Sequence, residues 1–126
     1  MSSDRWKSLE VWRMADDFAV AMYEMTKGFP KEETYGLVSQ LRRSALSVPT
    51  NIVEGYSRSG DRELARFLDI ALASLAETKY LIHFAHRLGF WSTGEIDALT
   101  NSAEAVGAML SKFTETVKLS RDSKQK

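Results

Sequence analysis

The sequence predicts an all-α protein folded as an antiparallel up-down-up-down four-helix bundle. Apolar residues recur at intervals of three and four in four successive stretches, which is the spacing of a buried helix face. Short polar segments join these stretches, as in bundles whose consecutive helices are antiparallel neighbours. Seven glycines and two prolines among 126 residues leave few turn formers for a β-rich architecture. The average spacing of 3.5 residues further predicts left-handed packing at shallow crossing angles.

The first predicted helix covers residues 9–27. Its buried face consists of the heptad-spaced residues Val11, Ala15, Phe18, Met22 and Met25. The segment Gly28-Phe29-Pro30 should end it, because glycine favours the C-terminus of a helix and proline is common just beyond.

The second predicted helix covers residues 34–58 and contains Pro49 near its middle. Proline lacks the amide hydrogen of a helical bond and should bend the helix axis at this point. The apolar row keeps its phase on both sides of the proline, so we expect one kinked helix and not two separate ones. The row consists of Val38, Leu41, Ala45, Val48, Ile52 and Tyr56.

The third predicted helix covers residues 61–88, with Asp61 as its N-cap and Gly89 after its end. The fourth covers residues 93–119 and has a continuous apolar row from Ile96 to Val117. The polar residues 120–126 should form a frayed tail.

Length and composition predict one domain spanning residues 1–126. No window approaches the roughly 18 consecutive apolar residues of a membrane helix, so we expect no membrane partner. The N-terminal segment lacks the apolar core of a signal peptide, and the chain has no cysteine, which together favour a cytoplasmic location. The formal net charge is zero, with a basic excess in residues 35–66 and 105–126.

A polar row runs beside the apolar row of the second helix. It consists of Gln40, Arg43, Ser47, Asn51, Glu54 and Arg58. Folding the second and third helices about residue 59 or 60 brings Glu77 opposite this region, so we expect an ion pair between Glu77 and Arg42 or Arg43. Glu54 and Arg58 are four residues apart and should pair within the helix. Asn51, Glu54 and Glu77 are therefore interpreted as structural polar residues, and Gly55 as a site of close packing.

The third helix has a second apolar row besides the one that faces the bundle core. Because one core needs only one such row, the second predicts contact with another copy of the chain. The expected interface residues are Phe67, Ile70, Leu81 and Phe84. Trp6, Trp12, Phe90 and Trp91 either contribute to such contacts or cap the core.

Five arginines cluster around the predicted hairpin of the second and third helices, and arginine suits phosphate geometry. They are the candidate nucleic-acid-binding residues Arg42, Arg43, Arg58, Arg62 and Arg66. The alternative is that these arginines form ion pairs within or between subunits, or lie on a solvated surface.

No catalytic constellation is evident, and we expect a non-enzymatic protein without a cofactor or metal. Di-iron bundles require Glu-x-x-His on two helices, and the sequence has no such motif. His83 and His86 are three residues apart, but no third ligand follows at suitable spacing.

Several short motifs together resemble a known bacterial family. They are Leu9-x-x-Trp12, Thr26-x-x-Phe29-Pro30-x-x-Glu33, Gly36-Leu37-x-x-Gln40-x-Arg42-Arg43-x-Ala45-x-Ser47, Asn51-Ile52-x-Glu54-Gly55 and Phe67-Leu68-x-x-Ala71-x-x-Ser74-x-x-Glu77. Across residues 6–90 the chain is similar to the four-helix-bundle proteins encoded in intervening sequences of 23S ribosomal RNA genes. The accessory variability protein of diversity-generating retroelements belongs to the same group.

The resemblance implies a cytoplasmic bacterial protein that forms a homopentameric ring and has no enzymatic activity. It also implies binding of nucleic acid and of a reverse transcriptase through a basic surface, with Arg42, Arg43 and Arg58 at the matching positions. Two functions therefore stay open. The first is a ring-forming accessory factor that acts with RNA, DNA or a ribonucleoprotein, and the second is a protein-interaction scaffold without affinity for nucleic acid.

Overall fold

The computed structural model describes residues 4–124, which form four α-helices and contain no β-strand. The helices are α1 (Glu10–Met25), α2 (Leu37–Tyr56), α3 (Asp61–Arg87) and α4 (Thr93–Ser123). Short 3-10 turns at Arg5–Ser8 and Lys31–Glu33 precede α1 and α2. Helices α1 and α3 each contact both α2 and α4, as in a four-helix bundle. The predicted all-α class and the four helices are confirmed, whereas the handedness of the packing stays a prediction.

Contacts between consecutive helices pair later residues of one helix with earlier residues of the next. Ser44 and Ser47 of α2 contact Thr78 and Ser74 of α3, respectively. Between α3 and α4, Asp69 pairs with Lys118 and Lys79 pairs with Glu104. Both pairs of helices therefore meet in the antiparallel sense.

Helix α2 begins at Leu37, three residues later than residue 34, where the sequence placed its start. Gly36 has non-helical backbone angles, and the preceding residues form the 3-10 turn and a further turn. The Glu33 side chain accepts a hydrogen bond from the Leu37 amide at 3.3 Å, which satisfies one free donor at the helix start. The helix continues through Pro49, whose side chain is buried, and the bend expected there stays a prediction.

The start of α3 differs from the sequence interpretation. Its N-cap is Gly60, in the left-handed region at φ 86°, and Asp61 is the first helical residue. The Asp61 carboxylate instead accepts hydrogen bonds from Ser120 at 2.8 Å and from Lys124 at 2.7 Å. Asp61 therefore joins the start of α3 to the end of α4.

Helix α4 extends to Ser123, so residues 120–123 are helical and not the frayed segment that the sequence predicted. The physical reason is the Asp61 contact, because it gives the last turn of α4 partners that the sequence alone does not indicate. Ser92 begins the helix with reciprocal hydrogen bonds to Glu95, the capping-box arrangement. Residues 125–126, also part of the predicted tail, lie outside the described chain.

The core consists of the apolar rows that the sequence indicates. Its largest fully buried apolar side chains are Phe18, Met22, Leu41, Ile52, Leu68, Leu99 and Leu110. Trp91 caps one end of this core: its ring packs 4.8 Å from that of Phe29, and its indole N–H donates to the Met25 carbonyl at 2.6 Å. Within residues 4–124, no helix combines the length and apolarity needed to cross a membrane.

Candidate interaction surfaces

Hydrogen bonds involve two of the six residues in the polar row on α2, Ser47 and Asn51. The Ser47 and Ser74 hydroxyls are 2.8 Å apart, and the Asn51 amide donates to the Ser47 carbonyl at 2.8 Å. One turn before Ser47 on α2, the Ser44 Oγ atom lies 2.9 Å from the buried Thr78 hydroxyl of α3. The Ser44 and Thr78 hydroxyls also bond the carbonyls of Leu41 and Ser74, so the contact between the helices adds to bonds that each helix supplies itself. Asn51 bonds Ser47 of its own helix, and its structural role stays a prediction.

Arg42 is half-buried and bonds the end of α1. Its Nε donates to the Thr26 hydroxyl at 2.9 Å, and a terminal nitrogen donates to the Tyr23 carbonyl at 3.1 Å. The guanidinium also lies over the Tyr23 ring, 4.8 Å from its centroid. These contacts satisfy groups at the C-terminal end of α1, where helical carbonyls lack partners. Arg42 is therefore held between α1 and α2.

Arg43 forms the interhelical ion pair predicted for Glu77, at an N–O distance of 3.9 Å. The Glu77 side chain is 44% exposed, so the pair lies at the surface of the bundle. An exposed pair at this distance contributes little to stability. Both side chains lie on the outer surface of α2 and α3.

Phe67 is buried under two arginines and is not available as a subunit contact, contrary to the sequence interpretation. The guanidinium of Arg58 lies 5.1 Å from its ring centroid and that of Arg66 lies 4.4 Å from it. Gly55 lies on the other helix of the hairpin and has no side chain to keep Phe67 away. The close packing expected at Gly55 is therefore confirmed, and it accounts for the inward position of Phe67.

The arginines of the hairpin are largely neutralised by carboxylates. Arg58 pairs with Glu54 at 3.5 Å, as predicted, and Arg66 pairs with Glu63 at 3.1 Å. The hydrogen bond from Arg66 lowers the pKa of the Glu63 carboxyl below its ordinary value. Arg62 is exposed and has no ion pair among residues 4–124. Of the five arginines singled out in the sequence, Arg62 is thus the one most open to an external anion.

The remaining predicted interface residues divide by exposure. Leu81 belongs to the buried core, and it also lines the groove between α2 and α3 that is described below. Ile70 and Phe84 are exposed at 38% and 41%. Phe84 belongs to an exposed aromatic surface with Tyr80, whose ring centroid lies 6.3 Å away.

An open groove lies beside these rings, and we call it the α2/α3 groove. It has a volume of about 340 Å³ and is lined by Glu33, Gly36, Leu37, Gln40, Tyr80, Leu81 and Phe84. Tyr80 is 60% exposed, and its role was missed because it belongs to neither apolar row of α3. The spacing of Tyr80, Phe84 and Leu88, four residues each, is the sequence signal that indicates this surface.

A second groove, on the other side of α2, is lined in part by Arg42 and Arg43. Its volume is about 440 Å³, and it also includes Tyr23, Tyr35 and Leu46. Tyr35 is 96% exposed. The two arginines therefore border exposed aromatic surface, a feature that sequence reasoning did not identify. Within residues 4–124, no group of three or more histidine and carboxylate side chains is arranged to hold a metal ion.

Comparison with known proteins shows the family of this chain and a solved structure with a similar fold. A family model described as 23S rRNA-intervening sequence protein matches residues 7–112. A solved structure from Bacteroides thetaiotaomicron, described as a protein of unknown function from the S23 ribosomal protein family, superposes with a TM-score of 0.78. The two sequences are 22% identical, and the alignment covers 83% of this chain and 95% of that one. No protein with a curated functional description matches the sequence.

Proposed function

Because the chain belongs to the 23S rRNA-intervening sequence protein family, we propose that it is a non-enzymatic bundle that associates with copies of itself. The observation that carries this proposal is the exposed aromatic surface along the α2/α3 groove. Tyr80 and Phe84 are 60% and 41% exposed in the single chain. Exposed apolar side chains that lie next to each other mark a candidate protein contact. The cytoplasmic location expected from the sequence is part of the same proposal.

A second copy of the chain is the occupant that best fits this surface. The formal net charge of zero means that two copies do not repel one another strongly. The exposed pair Arg43 and Glu77 lies on the same two helices, and charged residues are typical of the rim of an apolar contact. A closed ring needs a heterologous contact, in which the α2/α3 groove meets a different surface of the next copy. The number of five subunits follows from the family resemblance.

Sedimentation velocity tests self-association directly. Wild-type protein should sediment as a multiple of the 14.2 kDa chain, and Tyr80→Ser with Phe84→Ser should shift it toward the single chain. Helical circular dichroism establishes that the double variant is folded. A folded wild-type protein that stays a single chain at all concentrations contradicts the proposal.

Nucleic-acid binding is a second candidate function, and the environment of Arg62 favours it. Arg62 is exposed and unpaired among the described residues, and Arg58 and Arg66 lie on the same hairpin. At the same end of the bundle the guanidinium of Arg5 lies 5.5 Å from the centroid of the Tyr56 ring. An oligomer would repeat this cationic group around its circumference and strengthen binding by multivalency. A reverse transcriptase as protein partner stays an expectation from the resemblance.

Titration of a single-stranded RNA at two salt concentrations tests this second function. Phosphate binding weakens as salt rises, and Arg62→Ala should weaken it further. Arg87→Ala is a matched control, because Arg87 is also an exposed arginine of α3, near its other end. If no RNA binds at low salt, nucleic-acid binding is ruled out, and the alternative function of a protein-interaction scaffold stays.

A further inference from the structure

A cavity with an apolar lining lies between α3 and α4. Its volume is about 230 Å³, and Ile82, Ile96 and Ala103 supply its apolar lining. An apolar cavity of about 150 Å³ is large enough to bind benzene in a protein interior. The space between these helices therefore accommodates an aromatic ring with a small substituent.

Polar groups surround this lining on both helices. His83 and His86 lie one turn apart on α3, and Thr100 lies on α4. Neither imidazole has a hydrogen bond or an ion pair among residues 4–124. Lys79 and Glu104 also line the cavity and form an ion pair with each other at 3.2 Å.

We propose that this cavity binds a small aromatic carboxylate. The ring would lie against Ile82 and Ile96, and the carboxylate would accept hydrogen bonds from His83 and His86. An imidazole has an N–H donor in both its neutral and its charged form, so it can serve a carboxylate in either state. Small-molecule sites typically combine an apolar surface with a few polar groups that point toward the ligand.

The charges at the cavity favour an acid over a cationic ligand. Glu104 is the one carboxylate that lines the cavity, and Lys79 already neutralises it. A cationic ligand would compete with Lys79 for Glu104, whereas an anionic ligand meets two imidazoles that have no carboxylate partner among residues 4–124. Tyr80 and Phe84 line a different groove, and the Tyr80 ring lies 6.5 Å from that of His83 at the edge of the cavity.

Isoleucine methyl NMR with benzoate as the probe tests the proposal. The chain has four isoleucines, of which Ile82 and Ile96 line the cavity while Ile52 and Ile70 lie elsewhere. Benzoate at millimolar concentration should shift the Ile82 and Ile96 signals in a saturable manner and leave the other two in place. Unchanged spectra, or equal shifts of all four signals, overturn the proposal.

Two sets of variants separate the apolar and polar parts of the site. Thr100→Leu should fill the cavity and lower benzoate affinity at least about tenfold, whereas Thr116→Leu, on an exposed part of α4, should not change it. His83→Gln with His86→Gln should weaken benzoate binding about fivefold and leave the binding of neutral benzyl alcohol unchanged. Equal effects of the histidine variants on both probes contradict recognition of the carboxylate.

Discussion

Gly55 of α2 lies so close to Phe67 of α3 that a methyl group added to the glycine would stand 2.7 Å from the Phe67 Cβ atom. A Cβ atom is fixed to the backbone, so the two helices would have to move apart to make room. This contact brings α2 and α3 together at their hairpin. It also turns Phe67 inward, beneath Arg58 and Arg66.

Gly55→Ala should therefore destabilise the protein by about 1–3 kcal/mol, the usual range for an overpacked position. The better helix propensity of alanine offsets at most about 1 kcal/mol of this. Gly94→Ala is the matched control, since Gly94 is also helical and its nearest neighbouring atom would lie 4.0 Å from the new methyl group. Urea denaturation of both variants measures the difference, and equal stabilities contradict the account of this contact.

Arg42→Ala should cost about 1–3 kcal/mol of unfolding free energy, because two hydrogen bonds and a ring contact to the end of α1 are lost. Arg43→Ala should change the same quantity by less than about 0.5 kcal/mol, since its ion pair is exposed. Thermal or urea unfolding of the two neighbouring variants measures both values. A larger effect at Arg43 than at Arg42 would show that their structural roles are assigned wrongly.

The hydroxyl contact between Ser44 and Thr78 should couple the two residues. A double-mutant cycle with Ser44→Ala and Thr78→Val removes each hydroxyl separately and then both together. We expect a coupling energy of about 0.5–1.5 kcal/mol for a buried hydrogen bond. Additive losses in the cycle would mean that the two hydroxyls do not interact.

Asp61 should make stability depend on acid pH. The hydrogen bonds from Lys124 and Ser120 lower the pKa of its carboxyl in the folded protein below the ordinary value of 3.8. A carboxyl with a lowered folded-state pKa stabilises the protein above its unfolded-state pKa. That contribution is lost as the pH falls through the folded-state pKa.

Asp61→Asn should therefore lose less stability than the wild type when the pH is lowered below about 4. Urea unfolding at a series of acid pH values measures this dependence. Asp97→Asn, at an exposed aspartate of α4, should follow the wild type. If the stability of Asp61→Asn depends on pH as that of the wild type does, the contact between the start of α3 and the end of α4 does not contribute to acid stability.

The fold could be predicted from the sequence because the spacing of residues such as Leu41, Ala45 and Val48 reports burial directly. The ion pair of Glu54 with Arg58 followed from helical spacing in the same way. The end of α4 could not be predicted, since the partners of Ser120 and Lys124 are on another helix.

The candidate surface was less predictable than the fold. Spacing alone assigned Phe67, Leu81 and Phe84 to one row. Whether each of them is buried depends on the size of the side chains opposite it on the neighbouring helix. Glycine at position 55 draws Phe67 inward, whereas Phe84 lies beside an open groove. Exposure in the folded chain thus distinguishes residues that the sequence groups together.

Sedimentation velocity of the wild type, of Tyr80→Ser with Phe84→Ser, and of Leu119→Ser tests the central claim most directly. Leu119 is 64% exposed on α4 and lies outside the α2/α3 groove. The account predicts an oligomer of the 14.2 kDa chain for the wild type and for Leu119→Ser, and a shift toward single chains for the double variant. A wild-type protein that is a single chain, or a double variant that assembles like the wild type, would contradict it.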